Sequence, residues 1–279
     1  MVTQFTGAIV RAFLMVILIA TPSLLLPEIS ADTAQIVALV SIFVAALTLF
    51  EYASVYPGLI EFRDAPPFNR IRYVSLLLTV SLLSIVARGE TEPTTLTELV
   101  KATGTLIGQA IDFPYSPVRL ILLMLPESAS AHEVEALRTA GGVSYLISLL
   151  SLGVFLIVLR LMGWPSHTGA FNVWINLPTF DPTAGGDVVT RLERDARFNI
   201  ALGFLLPFLT PMVVKSASAL FGTISLTSDQ TLIWTVAAWA FLPASLFMRG
   251  IAMGRIASMI SKERRRNAAS ADQGALLPA

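Results

Sequence analysis

The sequence predicts an all-α polytopic membrane protein: a bundle of about six transmembrane helices with short amphipathic helices at the interfaces. Three observations predict it. Of 279 residues, 54% are hydrophobic and only 14% charged, with a mean hydropathy of +0.72, whereas soluble domains carry about 25% charged residues. Six stretches are long and apolar enough to cross a hydrocarbon core of about 30 Å at roughly 1.5 Å per residue. The loops between them alternate between arginine-rich and arginine-poor, as the positive-inside rule demands.

The expected spans are 7–26, 34–50, 71–87, 143–162, 198–214 and 231–247. They make residues 1–261 one transmembrane domain, followed by a tail over 262–279 that is first basic, then small, polar and disordered. With both termini on the inner side, only Arg88, Lys101, Arg119, Arg138 and Lys215 of the nineteen basic residues fall outside. The first span has a rival reading as a signal peptide, with Arg11 ahead of an apolar core and Ile29-Ser30-Ala31 before Asp32 as a cleavage site. Its apolar run is long for that purpose.

The outer insert, 88–142, is too long for a plain connection. Thr95 and Glu98 are spaced as a capping box, followed by apolar residues at Leu96, Leu99, Val100, Leu106, Ile107 and Ile111. Ser116-Pro117 starts a second short helix. Ser130 and Glu133 open a third, which Gly141-Gly142 ends. The inner loop, 163–197, begins with Trp164 and Trp174, residues suited to the headgroup zone. After Gly185-Gly186, Asp187 caps an amphipathic helix leading into the fifth span.

The fifth span carries Pro207 and Pro211 one turn apart. A proline cannot donate to the carbonyl four residues back, so the carbonyls of Gly203 and Pro207 are freed. An unpaired carbonyl costs several kcal/mol in hydrocarbon, and a neighbour must answer it. The expectation is an interior, bent helix with the other spans around it. Gly203, Pro207, Thr210, Pro211 and Lys215 are therefore candidates for a kink or a solute pathway. Gly250, Gly254 and Ser258 share one face of the sixth helix, spaced for close helix approach, and Gly104 and Gly108 repeat that spacing in the insert.

What is missing narrows the function. No carboxylate lies in the middle of a span, although Glu51 stands at the inner end of the second. Ion-coupled transporters generally keep such groups. There is no cysteine, and the two histidines, His132 and His167, lie in different loops. No nucleotide, zinc-protease or serine-hydrolase motif appears, and zero net charge excludes a basic field for nucleic acid. The expectation is a non-enzyme without catalytic, cofactor or metal residues. It is a multi-pass protein of a bacterial-type inner membrane whose partners are the bilayer and other membrane proteins, or further copies of itself. Two roles fit: accessory or scaffold component of a membrane complex, or channel or facilitator for a neutral or hydrophobic small solute.

Overall fold

The computed structural model describes residues 2–27, 29–165, 172–181, 183, 185–221 and 228–275, so His167 lies outside the described residues. Among the described residues every regular element is helical. The elements are α1 (Val2–Leu25), α2 (Ala31–Ala53), α3 (Phe68–Thr91), α4 (Thr95–Ala110), α5 (Pro117–Ile121), a 3₁₀ turn at Leu122–Met124, α6 (Ala131–Leu161), α7 (Val173–Asn176), α8 (Val188–Phe221) and α9 (Asp229–Ala275). Six of them, α1, α2, α3, α6, α8 and α9, are long and apolar enough to cross a membrane. The protein is a helical, polytopic membrane bundle.

The core has two storeys. One is built around Val80, Leu137, Val143, Ile233 and Val236, from α3, α6 and α9. The other lies toward the arginine-rich end, around Phe62, Phe68, Phe155, Leu159, Met248 and Met253. Both storeys draw on α6 and α9, and these, not α8, are the central helices. On α8 the buried positions include Gly203, Pro207 and Pro211, while Phe198, Phe204, Met212 and Val213 are exposed and in a bilayer meet lipid. The expectation of an interior fifth span is therefore corrected. Large apolar side chains lose nothing by facing oil, so hydrophobicity alone does not say which span is central.

Three further expectations change. The glycine pair Gly141-Gly142 does not stop a helix; α6 runs unbroken from its capping box at Ser130 and Glu133 to Leu161. Both glycines are buried there, and a Cβ on Gly142 would stand 2.5 Å from the Cα of Gly108 on α4. They serve close helix approach instead of a cap. The box that opens α4 is Thr94 with Thr97, one residue earlier than expected. Its apolar residues Leu96, Leu99 and Leu106 point outward, and Thr97, Gly104 and Gly108 point inward. Small residues inside and large ones outside is the order that lipid favours. Finally, the tail does not become irregular at Asn267, because α9 continues as helix to Ala275.

Polar contacts at the two ends join the helices. At one end Glu90 of α3 meets Lys101 of α4 at 2.8 Å and His132 of α6 at 3.2 Å, so His132 is no isolated loop residue. At the arginine-rich end Gln4 donates to the carbonyls of Tyr52 and Ser54, and Arg255 donates to that of Leu159 at 2.9 Å. Trp164 is packed there at 3% exposure instead of facing headgroups. Asp187 accepts from the backbone of Thr190, capping α8, and pairs with Arg264 of α9.

That last pair has a pH dependence. The Arg264 guanidinium, followed by the Thr190 amide, pulls the Asp187 carboxyl down from its ordinary 3.8 to about 2. A lowered folded-state value means the contact contributes above pH about 4 and is lost as the pH falls toward 2. Protection of the Thr190 amide, its exchange rate compared with that of a free chain at the same pH, should fall over that window. In Asp187→Asn that fall should be absent.

Candidate functional site

The proline-containing seam comes first, because the sequence singles it out. Gly203 sits where a Cβ would meet the Pro243 carbonyl of α9 at 2.9 Å. The carbonyl of Pro207, freed by Pro211, accepts a hydrogen bond from the Trp239 indole of α9 at 3.1 Å. Thr210 donates to the carbonyl of Leu206 at 2.8 Å. Further along, Gly250 admits the Ala196 carbonyl, 2.7 Å from where its Cβ would be; Gly254 faces Ala196, and Ser258 donates to the Gly254 carbonyl. Gly203, Pro207, Gly250 and Gly254 thus lie along the α8–α9 contact. Lys215 stands apart, exposed within α8. Replacing Trp239 by Phe removes the donor and leaves the Pro207 carbonyl unanswered, at a cost of about 1–3 kcal/mol. A lowered melting temperature in detergent is expected.

A wide opening lies elsewhere, between α1, the connection 54–67, α3 and Phe241 of α9. It is a cavity of about 1220 Å³, above the roughly 300–1,000 Å³ of a typical small-molecule site. Val10, Leu14, Met15, Leu18, Leu76 and Phe241 supply apolar walls. The polar lining is Arg11, Tyr52, Glu61, Arg63, Asn69, Arg70, Arg72 and Tyr73. Val10 and Val74, both more than half exposed, stand at the rim between α1 and α3.

The connection 54–67 forms the floor, and its shape follows from two buried charges. Glu51, in the last turn of α2, accepts from the backbone amides of Gly58, Leu59 and Ile60 at 2.9–3.2 Å. Arg63 runs the other way and donates to the carbonyls of Glu51 and Ser54 at 3.1 and 2.7 Å. A cation on the last carbonyls of a helix satisfies groups that have no partner within it and complements its dipole. The turn this forces puts Phe62 at φ 53°, a left-handed conformation that costs a bulky residue of order 1 kcal/mol. Burial of its ring at 1% exposure and a 2.7 Å bond from its amide to the Asn176 carbonyl offset that cost.

Glu61 closes the floor against α9. Both its oxygens are held by Arg249, at 2.6 and 2.8 Å, and the Thr179 hydroxyl donates to it at 2.7 Å. Arg249 also donates to Asn199 of α8 at 2.8 Å. In the wall, Tyr73 donates to the Leu14 carbonyl at 2.8 Å, and the Arg11 guanidinium lies 4.6 Å above the Tyr52 ring. Arg72, in the second turn of α3, lies against the rings of Phe68 and Phe241 and donates to Asn69 at 3.3 Å. Its Nε is buried with no hydrogen-bond partner.

The sequence reading names none of these as site residues. Its available signal is the presence of Arg11 and Arg72 inside apolar spans, where an ionisable group points to function by default.

Geometry defines the class: a helical membrane protein with a cavity whose lining is mainly apolar and includes four arginines, Arg11, Arg63, Arg70 and Arg72. Compared with known proteins, the chain matches no family model, and neither a curated protein nor a solved structure is significantly similar to it.

Proposed function

We propose that the chain is a non-enzymatic inner-membrane protein that takes up a hydrophobic molecule from the bilayer into the cavity between α1 and α3. The observation that carries this is the cavity itself, with apolar walls and its rim at Val10 and Val74. On this reading the arginine-rich end faces the cytoplasm, in accord with the positive-inside rule, and the molecule enters from the inner leaflet. Of the two roles read from the sequence, handling of a hydrophobic solute is the better supported.

The test is photolabelling in nanodiscs with a diazirine-bearing diacylglycerol, a neutral acyl-chain probe. Labelling should concentrate at Leu14 and Leu76 over the outer face of α2, and Leu14→Trp should reduce it several-fold by filling the space. Uniform labelling of every lipid-facing helix would overturn the proposal.

The accessory role keeps one specific observation. Helix α2 packs chiefly on α1 and leaves Leu39, Phe43 and Phe50 exposed, a seat that a helix of another protein could occupy. Stoichiometric co-purification of a second protein in mild detergent would favour it, and a consistently lone species would count against it.

A further inference from the structure

We propose that the cavity's occupant is an anionic amphiphile: an acyl-chain lipid whose single negative headgroup supplies the counter-charge for Arg72. This rests on the reading above that the cavity takes up a hydrophobic molecule, and it adds the chemistry of the head. The argument is one of charge accounting. Glu61, the carboxylate of the lining, is already engaged by both forks of Arg249 and by Thr179. Arg63 is engaged by Asp64 and by the carbonyls at the end of α2. Arg11 donates to the Gly7 carbonyl at 2.8 Å and lies over the Tyr52 ring, but among the described residues neither it nor Arg70 nor Arg72 has a carboxylate within ion-pair distance.

Arg72 is the most telling of them. Its Nε is sealed from water yet donates to nothing, and two aromatic rings flank the guanidinium. Arg72 is half-buried, the charge of Glu61 reaches it only at a distance and is already held by Arg249, and a buried donor without an acceptor is costly. Charge-assisted contacts between guanidinium and phosphate or carboxylate are among the strongest polar interactions available. An anionic head among Arg11, Arg70 and Arg72 therefore gains electrostatic energy that a neutral or zwitterionic head forgoes. The apolar wall decides between a lipid and a free anion. Inorganic phosphate would leave Leu14 and Leu76 wet, whereas an acyl chain covers them.

Native mass spectrometry of the full-length protein from mixed micelles tests this, with phosphatidylglycerol and phosphatidylcholine of identical chains offered together. Retention of phosphatidylglycerol should exceed that of phosphatidylcholine about tenfold. Arg72→Gln should bring the ratio to within about twofold, Arg72→Lys should keep most of it, and Arg265→Gln in the exposed part of α9 should leave it unchanged. If Arg72→Gln does not fold, the wild-type ratio and displacement of the lipid in Leu14→Trp still decide. Equal retention of both lipids overturns the proposal, as does an unchanged ratio in Arg72→Gln or full competition by inorganic phosphate. Equal retention with the neutral probe still concentrated at Leu14 and Leu76 defeats the anionic head alone. Loss of that labelling as well defeats the cavity reading too.

Discussion

Arg249→Ala is expected to destabilise the protein by about 3 kcal/mol or more, the range for breaking a buried ion pair from one side. Glu61 is only 12% exposed, and without the guanidinium its carboxylate keeps the Thr179 hydroxyl alone. The loss also unties three elements at once, because Arg249 joins the connection 54–67 to α9 and, through Asn199, to α8. Thermal unfolding in detergent should shift down strongly, and Arg249→Lys should fall between, since an ammonium keeps the charge but not the two-pronged grip. The paired change Arg249→Met with Glu61→Gln should recover much of the loss, because no lone charge is then left in a dry place. Wild-type melting in Arg249→Ala would show that this pair does not hold the floor of the cavity.

Gly142→Val is expected to separate α4 from α6. A Cβ there meets the Cα and N of Gly108 at 2.5 and 2.7 Å, and a Cβ on Gly108 meets the Arg138 carbonyl at 2.8 Å. Every opposing atom is backbone, so no side chain can swing aside and the helices themselves must part. Overpacking of this kind costs about 1–3 kcal/mol, occasionally more. The chain has no cysteine, which makes a clean readout possible. Thr105 and Thr139 face each other across the same contact, hydroxyl to hydroxyl at 3.2 Å. With both changed to Cys, oxidation should cross-link α4 to α6, and adding Gly142→Val should abolish the cross-link. Gly153→Val is the control, because open space surrounds that position. Persistent cross-linking in the triple variant would refute the close contact.

These two contacts also mark where the sequence was legible and where it was not. Span number and class followed from local facts, the lengths of apolar runs and the absence of charge within them, and these do not depend on what packs where. Caps were legible for the same reason: Ser116, Ser130 and Asp187 act within three residues of themselves. The fates of Gly141 and Gly142 were not, because a glycine pair reads alike as a helix stop or a close-packing notch until Gly108 is placed opposite. The cavity was hidden for a stronger reason. Glu61 and Arg249 are 188 positions apart, and no spacing rule links them. Arg11 and Arg72 were visible as charges inside apolar runs, but a loop-by-loop count of arginines absorbs them as orientation signals. What sets Arg72 apart is a buried Nε with no acceptor in three dimensions, which a one-dimensional reading cannot register.

Helix α9 has 47 residues, which at about 1.5 Å each makes a rod of roughly 70 Å. A hydrocarbon slab of about 30 Å accounts for less than half of that. The remainder is more helix than the slab can hold, and it is tied to the start of α8 where Arg264 meets Asp187. Arg264, Arg265 and Arg266 are therefore carried on continuous helix instead of on a slack thread.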